Sequence, residues 1–185
     1  MPTFPPRQLM PLALILVALA PAATPAAAQT PAKGMSENAH PACPAPVAPT
    51  GAYAPWASAQ AVEAGRDAAT APVLPVGGAL QLALAPTPQV HYALRPEKPG
   101  GSVSFGGVVA LDVAQAGSYR IALGSAAWLD VVRDGQAVMS TAHGHGPDCT
   151  GIRKMVDFTL SPGRYLVQVS ANGAPQLTVM AIRQP

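Results

Sequence analysis

The chain has 185 residues and a formal net charge of +2, and 11% of its residues are charged whereas 49% are hydrophobic. Ordinary chains carry roughly 25% charged residues, so this composition excludes a highly charged disordered protein. The basic residues are spread along the chain rather than clustered, which argues against binding to nucleic acid. The length suits one domain.

The N-terminus has the pattern of a cleavable export signal. Arg7 supplies a positive charge, residues 9–20 are almost all apolar, and residues 26–28 provide a small-residue cleavage site. The apolar run is too short for a membrane-spanning helix, which needs about 20 residues. We therefore predict a signal peptide over residues 1–28, a periplasmic or secreted mature protein, and no integral membrane segment after cleavage.

The chain has two cysteines, Cys43 and Cys149, and both follow the predicted signal peptide. Exported proteins fold in oxidising compartments, where a pair of cysteines commonly forms a disulfide. We predict one bridge between them, which would close a loop of roughly 100 residues and tie the N-terminal segment to the folded domain. The alternatives are a thiolate metal ligand or two free thiols.

Residues 29–77 form an Ala/Pro-rich arm in which hydrophobic periodicity is weak. Such a composition predicts an extended or irregular backbone. A short helix is expected over residues 56–69, because Ala59 and Ala61 favour helix, although Gly65 weakens it.

From residue 78 to the C-terminus, apolar residues alternate with polar or small ones. Such alternation marks strands that turn one face toward a core. The alternating segments are residues 80–84, 109–113, 119–123, 152–160, 165–169 and 177–181. An Asp-Gly turn at residues 134–135 separates two further runs, residues 127–132 and 137–141, and an Asn-Gly turn at residues 172–173 separates the last two segments. We predict an all-β domain over residues 78–185, an antiparallel, jelly-roll-like β-sandwich of about eight strands, with a small closed barrel as the alternative.

A Gly-rich segment, residues 143–149, holds His143 and His145, two of the four histidines. Alternate positions place side chains on one side of a strand, close enough to share a metal ion. His40 precedes Cys43 by three residues, so the bridge would bring it to the same segment. These three histidines are the predicted ligand set for iron, copper or zinc. The alternative is a Gly–Pro surface loop with solvated histidines.

Charged residues near this segment could also contact a ligand or a partner. Asp148, Arg153 and Lys154 lie within it or just after it, and a second polar loop carries Arg95 and Lys98. The second loop could present its two cations to an anion. The alternative for both loops is a solvated turn whose charges bind nothing.

Two aromatic residues have positions that suggest roles. Trp128 shares a face of its predicted strand with Asp130, and packing of the indole in the core is favoured over a ligand platform. Tyr165 follows a Pro-Gly turn, where its ring is expected to point inward. This strand, turn and strand pattern over residues 158–170 resembles that of small accessory β-sandwiches appended to secreted bacterial enzymes, which implies a binding or folding role.

Two motifs support a further resemblance. Residues 96–102 read Pro-Glu-Lys-Pro-Gly-Gly-Ser, and residues 143–154 contain His-Gly-His-Gly-Pro, a cysteine and Ile-Arg-Lys. Through them, residues 90–183 resemble a group of small exported α-proteobacterial β-sandwich proteins often named homogentisate 1,2-dioxygenase. The resemblance implies dioxygenase chemistry at an iron held by two histidines and one carboxylate. The matching ligands here would be His143, His145 and either Asp148 or Glu97.

Two functions stay open at this point. The first is an exported binding or accessory protein without catalysis, whose recognition surface is residues 143–154 and whose partner is a small ligand or a protein. The second is a small metalloprotein or dioxygenase that uses His143 and His145. No serine stands in a Gly-x-Ser-x-Gly turn, so the sequence predicts no hydrolase of that type.

Overall fold

A computed structural model of the chain describes residues 43–185. The predicted signal peptide, the first part of the arm and His40 lie outside the described residues. No helix within the described range is long and apolar enough to cross a membrane.

Between residues 43 and 185 the chain forms eleven strands and two short 3-10 helices. The helices are Gly51–Ser58 and Thr87–Gln89. The strands are β1 (Gln60–Glu63), β2 (Ala79–Ala83), β3 (Ala85–Pro86), β4 (Phe105–Val113), β5 (Gly117–Leu123), β6 (Trp128–Arg133), β7 (Gln136–Val138), β8 (Ser140–Gly144), β9 (Lys154–Leu160), β10 (Gly163–Asn172) and β11 (Gln176–Arg183).

The strands are arranged in two sheets. One has six strands in the order β1-β2-β11-β5-β9-β8, and the other has five in the order β3-β4-β10-β6-β7. Among the named strands of residues 43–185, every pairing is antiparallel except that of β1 with β2. The predicted all-β antiparallel sandwich is confirmed, and two separate sheets replace the barrel alternative. The strand count exceeds eight partly because β3 and β7, with two and three residues, are too short to show alternation.

The core lies between the inner faces of the two sheets. Val109, Val167 and Val131 form one row across β4, β10 and β6, and all three are fully buried. Ala181 and Ile121 form a corresponding row across β11 and β5, also fully buried. These rows belong to one hydrophobic cluster, because alternation along each strand turns the apolar side chains toward the opposite sheet.

The predicted helix over residues 56–69 is wrong. The 3-10 helix ends at Ser58, and β1 then pairs in parallel with β2, with Val62 opposite Leu82. The alanines have a helix propensity worth only a fraction of a kcal/mol each, and pairing with the edge of a sheet overrides it. Val62 also packs against the core. The six-stranded sheet therefore begins upstream of the predicted boundary at residue 78.

Two buried tyrosines hold the turns that precede their strands. The Tyr165 hydroxyl donates to the carbonyl oxygen of Ser161 at 2.9 Å and accepts from its amide nitrogen at 3.1 Å. The Tyr119 hydroxyl donates to the carbonyl oxygen of Gln115 at 2.7 Å. The inward position predicted for Tyr165 is confirmed, since only 3% of it is exposed. Each ring fills the core while its hydroxyl satisfies backbone groups of a turn.

A loop covers part of the outer face of the five-stranded sheet. The side-chain amide of Gln168 on β10 accepts from the Leu94 amide at 3.1 Å and donates to the Leu94 carbonyl at 2.9 Å. The Ser170 hydroxyl donates to the carbonyl oxygen of Lys98 at 2.8 Å. Because β10 pairs with β6, these bonds fix the loop that carries Glu97 and Lys98 beside the first half of β6.

The predicted disulfide between Cys43 and Cys149 is confirmed, with a Cα–Cα distance of 5.4 Å. A backbone hydrogen bond from Val47 to the carbonyl oxygen of Cys149, 2.8 Å long, lies beside the bridge. Gly146 in the same loop packs so closely on Ile152 that an added Cβ would collide with its carbonyl oxygen. The bridge and this close packing together hold residues 143–153 against the domain.

Candidate functional site: a cavity at Trp128

The short strand β7 leaves part of β6 without a neighbour on one side. β7 pairs only with Val131, Val132 and Arg133, so Trp128 and Asp130 in the first half of β6 have no partner strand there. After β7 the chain passes through Met139 into β8, which belongs to the other sheet. A gap therefore opens between the start of β6 and the edge formed by β8 and β9.

A cavity of about 410 Å³ occupies this gap. Its polar lining residues are Glu97, Trp128, Asp130, Ser140, His143 and Lys154. The remaining wall is mostly apolar and includes Leu129, Val138, Val156 and Phe158. A concave apolar surface with a few polar groups, at this volume, has the usual character of a small-molecule site.

Trp128 lies outside the three hydrophobic clusters of the described residues. Its predicted packing in the core is wrong, because Leu129 and Val131 take the inward positions of β6 and place Trp128 and Asp130 on the other side. The indole nitrogen of Trp128 donates to Asp130 Oδ1 at 3.0 Å. The ring is half-buried and is held in place by a carboxylate two residues along the strand.

The Asp130 carboxylate is incompletely satisfied. Its Oδ2 atom is buried and has no hydrogen-bond partner. Burial raises the pKa of Asp130, as does the charge of Glu97, while the Trp128 hydrogen bond and the charge of Lys154 act in the opposite direction. A buried polar atom without a partner costs about 1–3 kcal/mol, so such atoms are rare in folded proteins.

Two lysines approach the Trp128 ring. The Lys98 and Lys154 ammonium groups lie 5.0 Å and 5.6 Å from the ring centroid, within the range of cation–π attraction. Lys154 also donates to the carbonyl oxygen of Ala127 at 3.0 Å. Burial lowers the pKa of Lys154, and the neighbouring charge of Lys98 lowers it further. Both lysines were candidate ligand contacts from sequence, and the structure brings them to the same ring.

The two histidines of the predicted metal site have different surroundings. His143 lies on β8 and lines the Trp128 cavity. Nδ1 of His145 lies 3.1 Å from the carbonyl oxygen of Arg153 and donates to it in the tautomer protonated there. Residues 43–185 contain no group of three or more His, Cys, Asp or Glu side chains placed to hold a metal ion. His40 lies outside the described residues, so the three-histidine site stays a prediction.

Asp148 and Arg153 line a second cavity, of about 320 Å³, beside the disulfide. Cys43, Cys149 and Ile152 also line it. Arg95, the remaining predicted contact, is exposed on its loop and lines neither cavity. The proposed recognition surface is thus divided between two places in the fold.

Sequence reasoning placed no role on Asp130, and it considered Glu97 only as a metal ligand. The sequence does contain a signal for this site, because Trp128 and Asp130 alternate with the strongly apolar Leu129 and Val131. That pattern indicates an outward Trp–Asp pair. A comparison with models of known protein families and with curated proteins found no match to this chain.

Proposed function

We propose that this protein is an exported β-sandwich binding protein that holds a small polar molecule in the Trp128 cavity. One observation carries the proposal: Asp130 Oδ2 is buried without a partner beside a cavity that other ionisable groups also line. Such groups are rare in folded proteins, and one beside a cavity with other ionisable groups is a candidate for contact with a ligand. The surrounding apolar wall supplies the contact area that a small ligand needs.

Export to the periplasm is part of this proposal. The N-terminal sequence pattern supports it, and the disulfide between Cys43 and Cys149 is typical of proteins that fold in an oxidising compartment. The sequence also favoured a binding protein, but it predicted the site on the His-containing loop, whereas we now propose the cavity beside that loop.

The test is a thermal-shift measurement on the mature, disulfide-bonded protein with four probes of different charge. The probes are L-leucine, D-galactose, citrate and spermidine, since a ligand that binds only the folded state raises the melting temperature. We expect at least one probe to raise it. The shift should persist in Trp56→Ala and disappear in Trp128→Ala, because Trp56 packs on the opposite sheet with a separate cluster. No shift with any probe, or equal shifts in both variants, would overturn the proposal.

Elemental analysis of the natively purified protein separates this role from the metalloprotein alternative. We expect no stoichiometric metal. Iron, copper or zinc that is present in equimolar amount and lost in His143→Ala would establish the alternative instead.

A further inference from the structure

Four charged side chains surround Trp128 without pairing with one another. Glu97 and Lys98 come from the covering loop, Asp130 from β6 and Lys154 from β9. None of the ion pairs in residues 43–185 joins any two of these four groups. The two cations and the two carboxylates therefore stay close enough to influence one another but too far apart for direct contact.

Each charge has a neighbour of its own sign. Burial raises the pKa of Asp130, and the charge of Glu97 raises it further. The charge of Lys98 is the largest influence after burial that lowers the pKa of Lys154. Like charges at short range repel, and a counter-charge placed between them relieves the repulsion. The cavity thus holds a pair of carboxylates and a pair of ammonium groups, and Asp130 and Lys154 attract each other without direct contact.

Unused hydrogen-bonding capacity follows the same division. The Lys154 ammonium has three donors, and one of them reaches the Ala127 carbonyl. Asp130 accepts from Trp128 through Oδ1, while Oδ2 has no partner. A ligand that carries a donor and an acceptor of opposite charge would satisfy both residues.

We infer that the Trp128 cavity binds a free amino acid with an apolar side chain, an assignment that rests on the proposed function. Its ammonium group would lie against Asp130 and Glu97, its carboxylate against Lys154 and Lys98, and its side chain against the apolar wall. Asp130 Oδ2 is closed to solvent, so binding must open a path from the cavity to this atom.

Other ligand classes fit the same cavity less well. A neutral sugar would add no counter-charge to either like-charged pair. A simple carboxylate would relieve the lysines but increase repulsion at Asp130, and a simple amine would do the reverse. Only a zwitterion meets both sides, and the apolar wall formed by Leu129, Val138, Val156 and Phe158 favours an apolar side chain over a polar one.

The inference is tested by isothermal titration calorimetry with three matched probes. L-Leucine carries both charges, N-acetyl-L-leucine only the carboxylate, and L-leucine methyl ester only the ammonium group. We expect leucine to bind, and each analogue to bind at least about tenfold more weakly, because each loses one set of charge-assisted hydrogen bonds. Equal binding of leucine and either analogue would overturn the inference.

Two variants assign the charges to their sides of the cavity. Lys154→Gln should bring the affinity for leucine down to that of the methyl ester, and Asp130→Asn should bring it down to that of N-acetyl-leucine. Arg164→Gln, at an exposed ion pair with Asp112, is the matched control and should change neither affinity. A uniform loss for all probes in both variants would indicate a merely structural role and contradict the assignment.

The same set of experiments separates the inference from the proposed function. If galactose, citrate or spermidine stabilises the protein in a Trp128-dependent manner while leucine does not bind, the amino acid assignment falls and the binding role stands. If no probe binds, both fall.

Discussion

Two groups of charges on this sandwich are satisfied to very different degrees. On the outer face of the six-stranded sheet, the Arg120 guanidinium donates to both carboxylate oxygens of Asp157 at 2.7 Å and to the Tyr53 hydroxyl at 3.0 Å. The hydrogen bonds to Asp157 raise the pKa of Arg120 above its ordinary value. At the Trp128 cavity, by contrast, Asp130 and Lys154 make no ion pair with each other among the described residues.

We propose that the difference distinguishes charges that stabilise the fold from charges that bind a ligand. The Arg120–Asp157 pair joins neighbouring strands, since the two residues are directly opposite in β5 and β9, and its two parallel hydrogen bonds have the bidentate geometry of a strong pair. The charged groups near Trp128 do not link directly opposite residues of paired strands, and they keep unused hydrogen-bond donors and acceptors. Where a protein leaves charged or polar groups without partners, the place is commonly a functional site.

Removing the disulfide should have the largest effect on stability and little effect on the cavity. We expect Cys43→Ser/Cys149→Ser to lower the free energy of unfolding by about 2–5 kcal/mol. Without the bridge, which closes a loop of roughly 100 residues, the unfolded chain gains conformational entropy. Urea denaturation measures this loss. Leucine affinity measured below the unfolding transition should stay within about twofold, because the bridge lines the other cavity. A loss under about 1 kcal/mol would contradict the expectation.

Breaking the matched pair should have the next largest effect. Arg120→Met leaves the Asp157 carboxylate, whose side chain is 14% exposed, without its main partner, and should cost about 2 kcal/mol. Arg164→Met removes an ion pair whose side chains are 55% and 51% exposed, so its cost should stay below about 1 kcal/mol. Urea denaturation measures the loss in free energy of unfolding for each variant. Equal losses would show that the Arg120–Asp157 pair stabilises the fold no more than an exposed ion pair does.

Removing the unmatched charge should have the smallest effect, and in the opposite direction. Because burial raises the pKa of Asp130, the folded state binds this proton more tightly than the unfolded state. The contribution to stability is therefore present at low pH and is lost as pH rises through the folded-state pKa. Asp130→Asn removes that loss and keeps an acceptor for the Trp128 indole.

We expect Asp130→Asn to unfold at the same temperature as the parent protein or slightly above it at neutral pH. The difference between the two should shrink as pH falls toward the ordinary range of a carboxyl group. Melting temperatures of both proteins between pH 4 and 7, measured by circular dichroism, check this behaviour. A clear destabilisation at neutral pH would place Asp130 with the matched, structural charges.

The sheet architecture could be predicted because it depends on local pattern. Alternation over residues 109–113 and 165–169 corresponds to the central strands β4 and β10, where a shift by one residue would expose the whole apolar set. The disulfide could be predicted because only one pairing of Cys43 with Cys149 was available. The helix predicted over residues 56–69 was wrong, because residues 60–63 pair with the otherwise open edge of β2. The local sequence contains no signal for this pairing, since β2 lies about 20 residues further along the chain.

The candidate site could be predicted only in pieces. Lys98 and Lys154 were recognised as charged residues near loops, and Trp128 and Asp130 as neighbours on one strand face. Their meeting depends on where β7 ends, because that three-residue strand leaves the first half of β6 open to the cavity. Contacts between residues about 30 positions apart or more, such as Lys98 with Trp128, are fixed by sheet pairing and loop packing rather than by spacing.

The sequence by itself determined that this chain is an all-β sandwich with one disulfide, because period-two alternation and a single cysteine pair each leave few physical solutions. Only the tertiary structure decided that Trp128 lies outside the core. Likewise, only the fold placed two lysines and two carboxylates near Trp128 without direct ion pairs between them. The reason is that burial and pairing of a charge depend on every element that packs around it, whereas strand formation depends on the residues of the strand itself.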